Sequence, residues 1–514
     1  MKKIQQLSLG FILILFVYSS IFAQSLPRST PEREGVSSES IEQFIQSFDP
    51  SKHELHSIMI VRHGKVIAES WWNPYSSDKK HSMYSVSKSW TSTAVGFAID
   101  EKIFGLDDKV IDFFPEYKEL SQKPFISDLT VRNLLTMSAG HKVEPLRGVV
   151  PATDDWIKGF LSAPIENKPG SKFLYNTLAT YMLSAIVQKT SGKTVIDFLQ
   201  SRLLTPLRIK DIDFETDPKG INTGGWGIRI HTEDMAKLGQ LYLQKGNWNG
   251  KQILSKNWVN MATSKQIDQD PTASQAKKDS SDWLQGYGFQ FWRCRNNGFR
   301  ADGAFGQYIV VLPEKDAVVV ITSESLDLQD DLNMIWKHLL PAFEEKPIAK
   351  NEKALAHLNQ LLKNNKIKFP TSHLNHGELN PFLHRFEFNK NSFNFKEISF
   401  EKSAENIRMN IQLEDKSIHS IILTENSLES GETTLPGPYL LRAARNAQAN
   451  LAPFKTAASY HWNPNQELNL TIRYTENPHH WNWKVSRQGN ALLIHLLNSF
   501  DTKNILTLKA NLMP

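Results

Sequence analysis

Residues His81 to Asp100 read His-Ser-Met-Tyr-Ser-Val-Ser-Lys-Ser-Trp-Thr-Ser-Thr-Ala-Val-Gly-Phe-Ala-Ile-Asp. Within this stretch Ser85 and Lys88 stand three residues apart, which on a helix places both side chains on one face, about 5–6 Å apart at Cβ. A serine hydroxyl is a poor nucleophile until a neighbouring base takes its proton. A lysine can be that base only if desolvation or nearby positive charge lowers its pKa. The residues that follow supply desolvation: Ala94, Val95, Phe97, Ala98 and Ile99 are apolar, and no charge occurs between Lys88 and Asp100. A helix opening near Ser85 would also turn unpaired backbone N–H groups toward developing negative charge. The bland alternative is a serine-capped helix start with a snorkelling lysine.

Spacing alone does not single out this pair. Ser76/Lys79, Ser77/Lys80, Ser274/Lys277 and Ser399/Lys402 repeat it. The first three lie in polar, loop-like stretches and the fourth in a strand-like pattern. Only Ser85 opens a long uncharged helical segment.

Outward from this segment the chain alternates in character. Upstream, His56–Val61 and Lys65–Ser70 are strand-like runs separated by Arg62-His63-Gly64, a hairpin signal. Downstream, residues 129–250 read as mainly helical, with Thr130 as an N-cap, a break at Pro169-Gly170, a helix stopping near Gly192 and another opening at His231. His231 reads as a helix-start residue rather than part of a site. Strand character returns over 286–323, followed by a helical pattern over Asp330–Leu340. Strands at both ends of a segment with helices between them predict an α+β fold. Beyond a charged connection, short period-two runs appear: Phe386/Phe388, Ile407/Met409/Ile411, Leu468/Leu470/Ile472 and Trp481/Trp483/Val485. With Asn, Gly and Pro punctuation they predict an antiparallel β domain, sandwich or barrel.

The expected organisation is a signal peptide over 1–23, a catalytic domain over 24–345, a helix-containing linker over 346–370 and a β-rich domain over 371–514. Lys2 and Lys3 before the apolar run Leu7–Val17, then Ser19, Ser20 and Ala23, form a secretory leader pattern. An exported protein, periplasmic or extracellular, is therefore expected, with no stable membrane span after cleavage. The lone cysteine, Cys294, allows no internal disulfide. The net charge of +5 falls to +3 without the two leader lysines, too mild to argue for nucleic acid. His479-His480 is a conceivable metal pair, but no further ligand stands at recognisable spacing, so neither metal nor cofactor is expected.

Several segments in order resemble the serine β-lactamase and penicillin-binding-protein-like hydrolases, closest to the class C/esterase branch. They are Tyr84-Ser-Val-Ser-Lys, Leu129-Thr-Val-Arg-Asn-Leu-Leu-Thr-Met-Ser-Ala-Gly, Pro169-Gly-Ser-Lys-Phe-Leu-Tyr, Gly286-Tyr-Gly-Phe-Gln-Phe-Trp and the glycine strand near 303. The resemblance spans residues 30–345. It implies a mostly antiparallel sheet flanked by helices with a helical subdomain, and a catalytic site in the cleft between them. Ser85 is then the nucleophile, Lys88 its proton shuttle, and Tyr175 the family tyrosine, a reasonable base if a cationic lysine favours phenolate. The backbone N–H groups of Ser85 and Ala304 would form the oxyanion hole, with Asn176, Thr177, Asp302 and Gly303 contacting substrate.

Two departures from the family pattern matter. Thr177 stands where the tyrosine motif has asparagine, although Asn176 is adjacent and could substitute. Ala301-Asp302-Gly303 stands where a Lys/His-Thr-Gly strand is usual, so the cation that often holds a substrate carboxylate is missing. Arg293, Arg295 and Arg300 are the local replacements. The expected function is an exported serine hydrolase acting on a small ester, amide or short peptide through an acyl-enzyme, rather than a true β-lactamase. A peptidoglycan D,D-peptidase, a D-aminopeptidase or a catalytically silent ligand-binding homologue are the alternatives. A homo-oligomer is compatible with the sequence.

Overall fold

A computed structural model describes residues 25–371, 379–403 and 406–514, so the leader pattern lies outside the described residues. The first layer is a six-stranded antiparallel sheet. Its strands are β1 (His53–Arg62), β2 (Lys65–Trp71), β3 (Trp292–Arg293), β4 (Phe299–Gly303), β5 (Gln307–Leu312) and β6 (Ala317–Ser325), in spatial order β2-β1-β6-β5-β4-β3. The two ends of the segment meet where β1 pairs with β6, Ile58 opposite Ile321.

Period two sorts the strand residues onto two buried faces. Ile58, Ile60, Val319 and Ile321 pack against α1 (Ser38–Gln46) and Leu332 and Ile335 of the helix that follows β6. Met59, Val61, Val318 and Val320 face the helical layer on the other side. Burial on both faces explains why these strands read as unbroken apolar runs rather than alternation.

The helical layer contains α2 (Ser87–Asp100), α3 (Thr177–Ser191) and α4 (Thr232–Leu243). Residues 87–98 of α2 are all buried. Its many hydroxyls are each employed: Thr91 Oγ1 donates to Gly224 O, Ser89 Oγ to Gln290 O and Ser92 Oγ to Phe289 O. A helix rich in hydroxyls can therefore sit in the interior with those hydroxyls satisfied. At Gly239 of α4 a Cβ would fall 2.6 Å from Val318 Cγ1, which is how closely that helix lies on the sheet. Asn176 caps α3 at its start and Gly192, left-handed, ends it.

The helix α5 (Glu352–Asn364) packs on α1 and buries Leu358. Ten further strands then build a closed barrel. They are β7 (Arg385–Phe388), β8 (Phe395–Ser403), β9 (Asn406–Leu413), β10 (Ile418–Glu425), β11 (Glu429–Thr433), β12 (Phe454–Trp462), β13 (Leu468–Tyr474), β14 (His480–Gln488), β15 (Ala491–Asn498) and β16 (Asp501–Leu512). Their order is β10-β9-β8-β7-β16-β15-β14-β13-β12-β11, all antiparallel, and a parallel pairing of Thr424–Glu425 with Ser459–Tyr460 closes the ring. The alternating residues noted in the sequence, among them Phe386, Met409, Leu470 and Trp483, fill its interior.

Two barrel connections reach the catalytic layer. The segment between β11 and β12 crosses to the helices, where Arg445 N donates to Val150 O at 3.0 Å. The turn between β13 and β14 accepts a bond from Ser82 N at Glu476 O, 2.9 Å. Arg473 on β13 pairs with Glu54 on β1, and Arg229 pairs with Glu476.

One stretch differs from its sequence reading. Residues 286–291 are irregular rather than a strand: Tyr287 makes isolated bridges and Gln290 has φ 63°. The aromatic alternation there fills the helical core instead of a sheet face, with Phe289 and Phe291 both buried. Among the described residues no helix is long and apolar enough to cross a membrane.

Candidate active site

Ser85 lies in a short 3-10 turn, Tyr84–Val86, that leads directly into α2. The α-helix itself begins two residues later than the sequence suggested, so Ser85 sits on its threshold. Tyr84, immediately before, adopts φ 44°, a left-handed conformation disfavoured for a residue with a Cβ. Sharp turns of this kind expose the next side chain to a cleft and are held only where the surroundings over-determine them.

Lys88, one turn on, is buried. Its Nζ donates to Ser85 Oγ at 3.0 Å and to Gly225 O at 2.8 Å. Burial draws the ammonium down to about 7, while the carboxylates of Glu144 and Asp302 pull the other way. The amine is thus substantially neutral near neutral pH and in contact with the hydroxyl it would deprotonate.

Tyr175 arrives from the loop before α3 and lines the cavity beside Ser85, whose side chain acts to lower the phenol's pKa. Its ring also sits under Lys88, 4.8 Å from Nζ to the ring centroid, and stacks on Trp292 at 5.5 Å. Burial, with Asp302 adding to it, pushes the phenol well above its ordinary value against the smaller pull of Ser85. An amine drawn to about 7 lends little positive charge to favour phenolate, and the phenol is raised rather than lowered.

Strand β4 forms the opposite wall. A Cβ on Gly303 would stand 2.3 Å from Met83 O and 3.2 Å from Ser85 N, so only glycine lets the strand approach the Ser85 turn this closely. Asp302 is half-buried at the cavity, bonded by Arg300 Nε at 2.9 Å, and desolvation raises its pKa against the pull of Arg300. Ala304 and Thr177 both line the cavity beside Ser85 and Tyr175.

Asn176 does not line it. Its Oδ1 accepts from Ala179 N as the cap of α3 and its Nδ2 meets His141 Nδ1, so the proposed stand-in for the family asparagine is engaged elsewhere. None of the three arginines weighed as replacement cations lines the cavity: Arg300 lies behind its wall, spent on Asp302, Asp282 O and Arg293 O, Arg295 pairs with Asp282, and Arg293 bonds Thr263 O. His231 caps α4 and bonds Ser77 O and Asp211, outside the cavity.

The cavity measures about 820 Å³ and carries residues that no spacing in the sequence announced. Glu144 and Arg147 come from one rim, and Glu144 Oε1 accepts from Thr177 N at 2.6 Å. Trp226, Trp283 and Trp292 give aromatic surface, while Leu440, Leu441, Ala443 and Ala444 add an apolar wall from the barrel segment. Apart from Trp292 on β3 and Arg147 in the single helical turn Leu146–Val149, these lie in irregular loops, where only three-dimensional closure assigns a side chain to the site.

Glu54, Glu324 and His480 offer atoms within 4.8 Å of one another. Arg473 already neutralises Glu54, and His479 and Ser499 donate to Glu324, so this donor set is committed to bridging barrel and sheet.

The family model for beta-lactamase matches residues 54–342, more than half of the chain, and every part of the site described above except the barrel wall lies within it. The chain belongs to the beta-lactamase family. This is a hydrolase superfamily whose members include esterases, amidases and β-lactamases. Among curated beta-lactamase relatives, the 6-aminohexanoate-dimer hydrolase of Paenarthrobacter ureafaciens is 24% identical over 286 residues, covering 51% of this chain and 71% of that protein. The beta-lactamase of Escherichia coli K12 is 23% identical over 180 residues, 34% of this chain and 47% of its own length. A solved Bacillus anthracis structure named for 6-aminohexanoate-dimer hydrolase superposes with a TM-score of 0.51 at 19% identity, covering 66% of this chain and 88% of that one. That likeness supports the beta-lactamase fold of the catalytic layer.

Proposed function

We propose that the protein is a serine hydrolase that opens an ester or amide bond through an acyl-enzyme on Ser85. The observation that carries this reading is the 3.0 Å contact between Ser85 Oγ and a buried lysine whose amine is drawn to about 7. Neutral Lys88 takes the hydroxyl proton as Oγ attacks the acyl carbon. The carbonyl oxygen gains charge facing the Ser85 and Ala304 N–H groups. As the tetrahedral species collapses, the bond to the alcohol or amine breaks. The leaving atom receives a proton from the Tyr175 phenol, which Lys88 replenishes. Water then attacks the acyl carbon, giving a proton to the same relay and releasing acid and free Ser85.

The substrate is neutral or cationic. Ala301 replaces the usual strand cation and is buried, while Glu144 and Asp302 give the cavity two carboxylates against the exposed Arg147. An amide with a free amino end fits these walls, and the named activity of the Paenarthrobacter relative, an amide-dimer hydrolase, points the same way. An aminopeptidase acting on short peptides is the second reading, favoured by Glu144.

A panel of nitrophenyl esters, amino-terminated amides, their N-acetylated forms and a cephalosporin separates these cases. Turnover of esters and free-amine amides with the lactam left intact supports the proposal. Rapid lactam hydrolysis, or ester turnover unchanged in Ser85→Ala, contradicts it.

A further inference from the structure

His479 lies at the start of β14, in the C-terminal barrel, far in sequence from the catalytic motifs, yet it is fully buried behind the nucleophile. Its Nε2 meets Tyr84 Oη at 2.8 Å and its Nδ1 meets Glu324 Oε1 at 2.6 Å. Glu324, at the end of β6, also accepts from Ser499 Oγ and lies 3.6 Å from His480 Nδ1. The pattern fixes the tautomer: Nδ1–H donates to the carboxylate, and Nε2 accepts from the Tyr84 hydroxyl. Burial keeps the imidazole neutral and the phenol protonated, as this arrangement needs.

The imidazole also packs edge-on against Phe305, with ring centroids 4.5 Å apart, and Phe305 in turn touches Tyr84 at 5.7 Å. Tyr84 and Phe305 share an unusual property: both are non-glycine residues in the left-handed region, φ 44° and 65°. Each flanks one of the two backbone N–H groups assigned to the oxyanion. Tyr84 sets the peptide plane that carries the Ser85 N–H. Phe305 lies in the turn closed by Gly306 N to Gly303 O, which carries the Ala304 N–H. Left-handed residues with side chains cost free energy and relax unless contacts restrain them. One imidazole contacts both.

We propose that His479 is a positioning residue of the active site: through the Tyr84 hydroxyl and the Phe305 ring it holds the two strained turns whose N–H groups bind the developing oxyanion. The barrel is then a working part of the catalytic apparatus, adding side-chain restraint to turns that the sheet already holds through Ser325 N to Phe305 O and Met83 N to Ile228 O. This inference rests on the hydrolase reading of Ser85.

The test uses the full chain and two readouts. One is the rate at which a fluorophosphonate modifies Ser85, with the Oγ–P bond formed, fluoride expelled and the hydroxyl proton passed to Lys88. The other is kcat and KM for a nitrophenyl ester, normalised to titrated active sites. Tyr84→Phe removes a single oxygen and keeps the ring contacts, so it carries the test even where His479→Gln folds poorly. Each variant is expected to lose roughly tenfold or more in kcat and labelling rate, with KM within about twofold, since a misaimed donor weakens transition-state binding alone. The double variant is expected to be no slower than the slower single one, because both act through one contact. A wild-type labelling rate and kcat in Tyr84→Phe overturn this inference alone. Failure of the wild-type chain to be modified at Ser85 overturns the hydrolase reading, and this inference with it.

Discussion

At the scale of single residues, Lys88 carries the proposed chemistry, and its burial has two measurable consequences. In the proposed mechanism the neutral amine is the active form, and burial draws its pKa to about 7, so kcat/KM for an ester should fall as pH drops through about 7. A profile flat from pH 5.5 to 8.5 would contradict this. The second consequence concerns stability. An unfolded lysine titrates near 10.4, so between about pH 7 and 10 the unfolded chain binds a proton that the folded chain does not. Folding therefore gains stability across that window as pH rises, and the buried amine costs the protein at neutral pH. Lys88→Met should abolish turnover yet raise Tm by a few degrees at pH 7, a net gain of about 1–3 kcal/mol after the lost bond to Gly225 O. Thermal melts of the pair at pH 7 check this. Ser85 and Lys88 were legible in the sequence because the chemistry needs a fixed spacing followed by an uncharged helix. Glu144 and Arg147 were not, since a loop or a single helical turn is too short to carry a periodic signal that says which way a side chain faces.

The element that matters most is β4, pressed against the turn that carries Ser85. At Gly303 an added Cβ would stand 2.3 Å from Met83 O, a backbone atom that cannot yield as a flexible side chain would. Gly303→Ala should keep the fold, lower stability by about 1–3 kcal/mol and cut ester turnover by roughly 10²-fold through displacement of the turn. Circular dichroism, thermal melts and kcat distinguish that outcome from plain unfolding. The strands β1, β5 and β6 were readable as apolar runs because both their faces are covered. Residues 286–291 read as a strand for the same reason, but helices supply that burial, and periodicity cannot tell the two surroundings apart. Similarly, the helix cap Asn176 resembled a substrate ligand only because it adjoins Thr177. Its side chain is consumed by the α3 N-terminus, a competition visible only once the helix start is placed.

For the whole molecule, the catalytic layer and the barrel share buried charge. Arg473 on β13 pairs with Glu54 on β1; although burial works against ionisation, the guanidinium holds that carboxyl down to about 2. A carboxylate depressed below its ordinary value contributes stability above about pH 4, lost as pH falls toward 2. Arg473→Met should leave Glu54 with only its bond to His56 and destabilise the protein by about 3 kcal/mol at pH 7, less at pH 4, as urea unfolding at the two values would show. An equal loss at both would argue that Arg473 acts through packing alone. The barrel itself was legible from period-two runs and turn residues. Its role in the cleft was not, because Tyr439 and His479 meet Tyr84 across more than 350 residues of chain. The central claim, a hydroxyl activated by a buried amine, is tested most directly by mixing the full chain with excess nitrophenyl ester, quenching in acid and mapping the acylated peptide by mass. The account predicts one acyl group on Ser85, formed in a burst and absent from Ser85→Ala; an adduct on another residue, or turnover that persists in Ser85→Ala, would contradict it.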